Sequence, residues 1–183
     1  MKKYELTAEF IEKWGKKLFR IKALISFGSV EVGELGGYVE KEDNLAQTGD
    51  AWVYGNARVC GNARVYGDAE VSGNAWVSGN AWVYGDAEVC GNARVYGDAD
   101  YLLIGRIGSR FGFTTFFKNK EKGITVSCGC FLGTIAEFRA KVTDTHGDNK
   151  HAKMYNMAAD MAELQILGEE HFDKLNTNKS EPF

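Results

Sequence analysis

The chain of 183 residues is poor in proline, in net charge and in long apolar runs. Proline occurs once, at Pro182, and the formal net charge is -3. So small a net charge gives no electrostatic signature of general nucleic-acid binding, and we expect no direct sequence-specific nucleic-acid binding. No apolar run approaches the roughly 20 residues that span a bilayer, so we expect no membrane association.

A secretion signal is also missing from the start of the sequence. The opening MKKYELTAEF has two lysines but no apolar segment after them, unlike a signal peptide. We therefore expect a cytoplasmic protein. Its four cysteines are then expected to be thiols rather than disulfides.

Glycine, in contrast, is frequent and periodic. From Gly49 the sequence runs in hexads: GDAWVY, GNARVC, GNARVY, GDAEVS, GNAWVS, GNAWVY, GDAEVC, GNARVY and GDADYL. The third position is always Ala, and the fifth is Val in every hexad but the last, which has Tyr101. Residues two apart share one side of an extended segment, and Gly followed by Asn or Asp favours a corner. Each hexad is therefore predicted to form a short strand and a corner.

Three such hexads make a triangular coil of 18 residues, with backbone groups paired in parallel ladders. The valines and alanines fill the prism, so we predict that these side chains point inward: Val59, Val65, Val77 and Val83. The pattern resembles the hexapeptide repeat of left-handed parallel β-helices, strongly over residues 49–102 and weakly back to Gly37. The whole chain also resembles hexapeptide-repeat proteins of phages, prophages and gut bacteria, which are often labelled polymer-forming cytoskeletal. The resemblance implies a mainly β fold with a short left-handed parallel β-helix over residues 37–102.

The flanking segments are expected to cap this helix. Residues 3–28 alternate apolar and polar, so residues 1–36 are predicted to form an N-terminal β-hairpin cap. Residues 101–131 predict two or three strands, and a capping box at Thr134 and Glu137 starts a helix that ends near Thr145. A second helix is predicted from about Lys150 to Leu167, so that residues 103–168 hold β-strands and a helical hairpin. Residues 169–183 are polar and are expected to be a flexible tail.

The outward residues sort into three columns, because residues 18 apart stack from coil to coil, roughly 4.8 Å apart. We call the predicted row of carboxylates the acidic edge: Asp50, Asp68, Asp86, Glu70 and Glu88. The second column, here the Arg/Trp face, is a cation–π stack: Arg58, Trp76 and Arg94. The third column is predicted to hold Arg64, Trp82 and Asp100, with Tyr66 and Tyr84 in the neighbouring column. We call the surface formed by four of these residues the third face: Arg64, Tyr66, Trp82 and Tyr84.

Duplication alone could produce these columns. Copying a unit of 18 residues places identical acids together, and Arg–Trp stacking would stabilise a ladder without any partner. Against this, like charges stacked at this spacing repel each other. Outward Trp and Tyr also need a cover, which a terminal segment, a sister subunit or a foreign partner could supply.

We therefore predict a non-catalytic protein-binding module that uses the acidic edge or one of the two aromatic columns. The phage resemblance implies a role at the phage–host boundary, and one form of it is an anti-CRISPR-like inhibitor of a bacterial defence nuclease or ribonucleoprotein. In that form the acidic edge occupies a basic nucleic-acid channel. The alternative is a homo-oligomeric structural scaffold, with a closed dimer or trimer expected in either case.

An acyltransferase is a third possibility, since it is the best-known activity of this fold. The family takes a His as base, but residues 1–145 contain none, and the coils carry no inserted loop. We therefore expect no enzyme activity, no catalytic residue and no cofactor.

Two further groups are weighed as sites. Cys128 and Cys130 are predicted on one side of a strand, and with His146 and His151 they offer four zinc-type ligands in principle. Their spacing is not that of a zinc knuckle, and buried strand cysteines are common, so no metal is predicted. Cys60 and Cys90 are expected to be small outward surface residues.

A methionine stripe lies on the second predicted helix: Met154, Met157 and Met161, followed by Leu164. We expect this stripe to pack into the core. An adaptable groove for a partner is the alternative.

Overall fold

The computed structural model describes residues 1–171, and the chain divides into two compact units, Met1–Asp98 and Ala99–Phe183. Most of the predicted tail therefore lies outside the described residues, since only residues 169–171 of it fall within them. Each unit is described by itself. No helix of the described residues is long and apolar enough to cross a membrane.

The first unit is a parallel β-solenoid preceded by an antiparallel hairpin. Its strands are β1 (Tyr4–Lys13), β2 (Lys16–Ala23), β3 (Leu35–Val39), β4 (Trp52–Val53), β5 (Arg58–Val59), β6 (Arg64–Val65), β7 (Glu70–Val71), β8 (Trp76–Val77), β9 (Trp82–Val83), β10 (Glu88–Val89) and β11 (Arg94–Val95). Three parallel ladders run along the coil, in the orders β3-β5-β8-β11, β4-β7-β10 and β6-β9. The predicted β-solenoid is confirmed, whereas its left-handed sense stays a prediction.

The interior of the solenoid consists of the hexad alanines and valines. Every Ala and Val at these positions from Ala51 to Val95 is fully buried, including the four valines predicted to point inward. The amides of one coil donate to carbonyls of the next, as Arg58 N does to Ala75 O at 3.0 Å. The period of two inside each hexad and the period of 18 along the chain thus fix both the core and the ladders.

The predicted N-terminal hairpin is present and extends one of the three sheets. Strand β1 pairs antiparallel with β2, β2 pairs antiparallel with β3, and β3 pairs parallel with β5. The hairpin turns at Trp14 and Gly15, whose φ angles are 50° and 74°. Positive φ at both central residues matches the turn that suits a two-residue hairpin. The hairpin therefore belongs to the sheet that carries the Arg/Trp face.

The second unit packs two helices against an antiparallel sheet. Its elements are β12 (Tyr101–Ile107), β13 (Gly112–Lys118), β14 (Ile124–Cys128), β15 (Phe131–Thr134), α1 (Ile135–His146) and α2 (Lys150–Leu167). Four strands form where two or three were predicted, because Gly129 turns the chain with a φ of 58° just after β14. Cys128 ends β14 and Cys130 is exposed beyond the turn, so the prediction that they share one side of a strand is wrong.

Both predicted helices are present, and local capping explains their starts. The Thr134 hydroxyl accepts the Glu137 amide at 3.3 Å, and the Glu137 carboxylate accepts the Thr134 amide at 2.8 Å. The Asn149 side chain caps α2 by accepting the His151 amide at 2.8 Å, and Gly168 ends α2 with a φ of 88°. The capping box and the terminal glycine were both readable in the sequence.

Candidate binding surface

The outward columns of the solenoid follow the predicted 18-residue register. Trp52 pairs with Glu70 and Glu70 with Glu88 in one ladder. In the next two ladders the pairs are Arg58 with Trp76, Trp76 with Arg94, and Arg64 with Trp82. Asp100 was expected to extend the last column. It lies instead in the second unit, in a short 3-10 turn, with its carboxylate 3.0 Å from Lys118 Nζ.

Trp52, at the start of the ladder that also carries Glu70 and Glu88, is covered by the chain's own N-terminal segment. Trp52 is fully buried, with the Tyr4 and Phe27 rings edge-on to it at centroid distances of 6.0 and 5.4 Å. A terminal segment, and no partner, is thus what covers this outward tryptophan. The carboxylates further along the same ladder, Glu70 and Glu88, are exposed.

Lys3 brings a positive charge to the acidic edge, which sequence reasoning missed. Its side chain is buried, and Nζ donates to the carbonyl oxygens of Gly49 and Ala51 at 3.2 and 2.8 Å. Burial lowers the pKa of Lys3 to about 8, although the carboxylates of Asp50 and Asp68 act in the opposite direction. The acidic edge is therefore already partly compensated at its Asp50 end.

The five carboxylates of the acidic edge are all exposed, but they do not form one contact group. Asp50 and Asp68 are adjacent, since the Asp50 amide donates to an Asp68 carboxylate oxygen at 3.3 Å. Glu70 lies 3.4 Å from the Tyr54 hydroxyl, and Asp86 stands at the same corner as Asp68 one coil later, where the Asp68 amide donates to Gly85 O at 3.0 Å. The edge is a row of separate charges, which suits long-range attraction better than a pocket.

The Arg/Trp face is covered by the β1–β2 hairpin. Trp76 is only 5% exposed, and the Trp14 ring lies over it at a centroid distance of 4.3 Å. Arg58 stacks on Trp76 at 5.7 Å, which matches the Arg58 half of the predicted cation–π stack. Arg94 is half-buried and donates to backbone carbonyls, the shortest bond being 2.8 Å to Ala93 O. With Trp76 covered internally, this column is a structural stack rather than an open surface.

Cys60 belongs to the same covered region, so its prediction as a surface residue is wrong. It is 4% exposed and packs in one apolar cluster with Leu18, Tyr38 and Trp76. Burial raises the pKa of the Cys60 thiol. The outward position of Cys60 in the coil was predicted correctly. The hexad repeat, however, does not indicate that the β1–β2 hairpin covers this position.

The third face remains open. Trp82 and Tyr84 are 46% and 49% exposed. Tyr66 stacks on Tyr84 at 5.5 Å with an 18° angle between the rings, and it meets Trp82 edge-on at 6.1 Å. Arg64 lies over the Trp82 ring at 5.6 Å. Three aromatic rings and a guanidinium therefore form one continuous exposed surface.

A cavity of about 470 Å³ adjoins this face. Its polar and aromatic lining comes from Glu42, Asp43, Gln47, Arg64, Tyr66 and Trp82. A second hollow of about 200 Å³ shares Asp43, Arg64 and Trp82 with it. Cavities of several hundred Å³ with aromatic walls and a few polar groups are typical of ligand and anchor sites. The sequence repeat did not reveal this cavity, because half of its lining precedes the hexads.

The wall of the cavity is a 3-10 turn at Glu42–Asn44, and buried hydrogen bonds hold it in place. Asn44 is fully buried and its side-chain amide donates to Gly61 O at 3.2 Å and Ala63 O at 2.8 Å. The Tyr4 hydroxyl lies 2.8 Å from both the Glu42 and the Leu45 carbonyl oxygens. The wall is thus fixed before any ligand arrives, which lowers the entropy cost of binding.

The cysteines and histidines of the second unit do not assemble into a metal site. The Thr114 hydroxyl donates to Cys128 Sγ at 3.2 Å, while Cys130 is exposed. The rings of His146 and His151 lie 5.8 Å apart. Within residues 1–171, no group of three or more His, Cys, Asp or Glu side chains is placed to hold a metal ion.

The methionine stripe of α2 is exposed, so the expectation that it packs into the core is wrong. Met157 and Met161 are 65% and 57% exposed. The core side of α2 is instead formed by Tyr155, Ala158, Ala159, Ala162 and Ile166. Small alanines let the helix approach the sheet closely, and the larger methionines lie on another side.

Comparison with known proteins supports the solenoid repeat. The geometry defines a parallel β-solenoid of hexapeptide coils with one open aromatic face. A family model described as the YdcK beta solenoid repeat matches residues 51–67, 57–71 and 69–85. No curated protein matches the chain. The matched residues carry the ladders and the buried valines, so the similarity bears on the fold.

Proposed function

We propose that the protein is a non-catalytic protein-binding module and that the third face meets its partner. One observation carries this proposal: of the three outward tryptophans in the ladders, Trp52 and Trp76 are covered by the N-terminal segment, while Trp82 is 46% exposed. Tryptophan, tyrosine and arginine are the residues most enriched at binding hot spots. The third face presents all three on a rigid support.

The adjoining cavity gives this face a place for an anchor side chain. Asp43 and Arg64 supply opposite charges at its rim, and Trp82 and Tyr66 supply apolar walls. Because the Asn44 hydrogen bonds hold the wall, little ordering is needed on binding. A partner side chain with an apolar stem and a polar end would match this lining.

The acidic edge has a separate role in the proposal, which is attraction of a basic partner. Exposed carboxylates on one side of the solenoid steer oppositely charged proteins and raise the association rate. Since Lys3 compensates the Asp50 end, Asp86, Glu70 and Glu88 should contribute more than Asp50. One concrete form is a phage-related, anti-CRISPR-like inhibitor in the bacterial cytoplasm, with a defence nuclease or ribonucleoprotein as its partner.

The test is an affinity measurement on the partner captured from a bacterial lysate and then purified. Trp82→Ala with Tyr84→Ala should weaken binding by about 30-fold or more, as expected for hot-spot truncation. Phe111→Ala is the matched control, because Phe111 is 71% exposed in the second unit and should bind like the parent. Parent-like affinity of the double variant would refute the third-face assignment.

The homo-oligomeric scaffold is the second candidate function, and the same exposed aromatic surface favours it. In that case two or three copies bury the third face against each other as a closed dimer or trimer. Sedimentation analysis separates the two functions, since Trp82→Ala would then shift the mass toward the monomer. If Trp82→Ala has the same mass in solution as the parent, the third face does not join copies of the chain, and a foreign partner is its expected occupant.

We further propose that the protein has no acyltransferase activity. The proposal rests on the histidines, because all three follow residue 145 and none lies in the solenoid unit. Titration calorimetry with coenzyme A is expected to give no saturable heat. Saturable binding, or turnover of acetyl-coenzyme A, would contradict it.

A further inference from the structure

Helix α2 has three sides, and two of them are accounted for within the second unit. One side carries Tyr155, Ala159 and Ala162 into the core. A second side faces α1, where Arg139 bonds both Asp160 and Glu163 at 2.7 Å. The third side is apolar and exposed along about 15 Å of helix, with exposed fractions of 39%, 65%, 57% and 46% for Met154, Met157, Met161 and Leu164.

The charges at the two ends of α2 oppose the helix dipole. The first turn has no acidic residue and the last turn no basic one. Instead Lys150 and Lys153 lie in the first turn, with Asp148 directly before the Asn149 cap, and Glu169 and Glu170 come after Gly168, which ends the helix; all five side chains are exposed. Cations are disfavoured at a helix N-terminus and anions at its C-terminus. The isolated unit therefore carries unfavourable charges next to an exposed apolar stripe.

We propose that α2 pairs with α2 of a second copy of the chain, antiparallel and about a two-fold axis. The axis passes between Met157 and Met161, so that each stripe covers the other. This arrangement brings Lys150 and Lys153 of one copy toward Glu169 and Glu170 of its partner copy. This one contact then buries the exposed methionines and pairs the charges that oppose the helix dipole with charges of opposite sign.

The antiparallel direction follows from the charges. A parallel pair would place lysine beside lysine and glutamate beside glutamate, which is repulsive. An antiparallel pair joins unlike charges at both ends, and a two-fold axis makes the two ends equivalent. Methionine suits such a surface because its side chain adapts its shape to the partner. The contact is smaller than a standard interface, so we expect a dissociation constant in the micromolar range.

This dimer is independent of the third-face proposal, because it uses the second unit alone. Two charge variants test it by sedimentation velocity at micromolar concentrations. The acidic variant carries Lys150→Glu and Lys153→Glu, and the basic variant carries Glu169→Lys and Glu170→Lys. Each alone should raise the dissociation constant at least about tenfold, since both ends of the pair then repel. An equimolar mixture of the two should recover the dimer.

Loss of the dimer in these variants cannot be explained by unfolding of α2. Both sets of substitutions place charges that the helix dipole favours, negative at the N-terminus and positive at the C-terminus. The melting temperature of each variant should equal or exceed that of the parent. Met157→Lys with Met161→Lys should also give a monomer, whereas Trp82→Ala should leave the dimer intact. A monomeric parent, an acidic variant that dimerises like the parent, or a mixture that does not recover the dimer would each overturn the proposal.

Discussion

Lys3 shows how a single side chain closes the open end of a solenoid. In the coil, amides donate to carbonyls of the following coil, so the carbonyls of the first coil need donors from outside the hexads, as Ala57 O takes one from the Tyr38 amide at 2.9 Å. The Lys3 ammonium supplies donors to Gly49 and Ala51, and the Asn44 amide does the same for Gly61 and Ala63. Buried carbonyls without donors would destabilise this end.

The stability contribution of Lys3 should depend on pH. The pKa of Lys3 is lowered to about 8 from 10.5, so the folded state binds fewer protons than the unfolded state between these values. The free energy of unfolding therefore rises with pH in this window. Relative to Lys3→Met, the parent should gain about 2 kcal/mol between pH 7 and pH 9.5, as measured by urea unfolding. A difference that is constant with pH would contradict the burial of this ammonium.

Corner glycines offer a matched pair for testing how closely the coils approach. Gly55 and Gly79 have φ angles of 57° and 64°, so an alanine is strained at either position. An added Cβ meets nothing within 4 Å at Gly55 but overlaps the Tyr96 carbonyl oxygen at Gly79. Gly55→Ala should cost about 1 kcal/mol from backbone strain alone. Gly79→Ala should cost at least about 2 kcal/mol more, and equal losses would contradict the coil spacing.

Residues with a periodic pattern were predictable, and isolated polar residues were not. Val59 and Val77 are placed correctly because every coil repeats the same inward position. Lys3 and Asn44 occur once each, outside any repeat, and they resemble ordinary surface residues. Their burial depends on which carbonyls the first coil leaves open, and only the assembled structure defines these.

At the scale of elements, the β1–β2 hairpin covers one outward tryptophan, Trp76, and leaves another, Trp82, exposed. Repeat analysis gives Trp76 and Trp82 equivalent outward positions, one on each of two faces. The hairpin covers Trp76 because its sheet continues through β3 into the ladder of β5 and β8. Within residues 1–171, the ladder of β6 and β9 is extended by a single parallel bridge between Leu45 and Val65 and not by a hairpin. Two residues of the same type and repeat position thus acquire different roles.

Truncation of the two tryptophans should therefore have different effects. Trp76→Ala empties a buried site and should lower the free energy of unfolding by about 3 to 5 kcal/mol. Trp82→Ala removes a half-exposed ring and should lower it by about 1 kcal/mol or less. Chemical denaturation of both variants checks this difference. Similar losses would show that the two faces are not covered as described.

Helix α2 shows where a periodic pattern is ambiguous. Its bounds were predictable from the terminal Gly168, but its orientation was not. Two apolar stripes run along it, one of methionines and one rich in alanine. The methionines were expected in the core, yet Ala158, Ala159 and Ala162 pack there instead, since close approach of a helix to a sheet requires small side chains. Hydrophobic periodicity alone does not indicate which of two apolar stripes on one helix is buried in the core.

The molecule as a whole separates charge from aromatic surface. The solenoid places the glutamates of the acidic edge and Trp82 of the third face in different ladders, although the net charge is only -3. The two surfaces should contribute differently to binding, the first to the association rate and the second to the lifetime of the complex. The sorting of residues was predictable from the repeat, whereas the cavity beside the third face was not.

Salt should reveal the role of the acidic edge. In a fourfold variant, Asp68→Asn, Asp86→Asn, Glu70→Gln and Glu88→Gln preserve shape and remove charge. Its association rate with a basic partner should fall by about tenfold at low salt and match the parent near 1 M, where the Debye length is about 3 Å. Stopped-flow measurements at several salt concentrations test this. An unchanged rate at low salt would make the edge a relic of duplication.

The central claim is that the third face is open in the free protein and closed by the partner. Hydroxyl-radical footprinting with mass spectrometry measures this directly, because the chain has four tryptophans at four levels of exposure. In the free protein we expect oxidation at Trp14 and Trp82 and protection at Trp52 and Trp76. In the complex, Trp82 and Tyr84 should become protected while Trp14 stays reactive. Equal oxidation of Trp82 in the free and bound states would contradict the account.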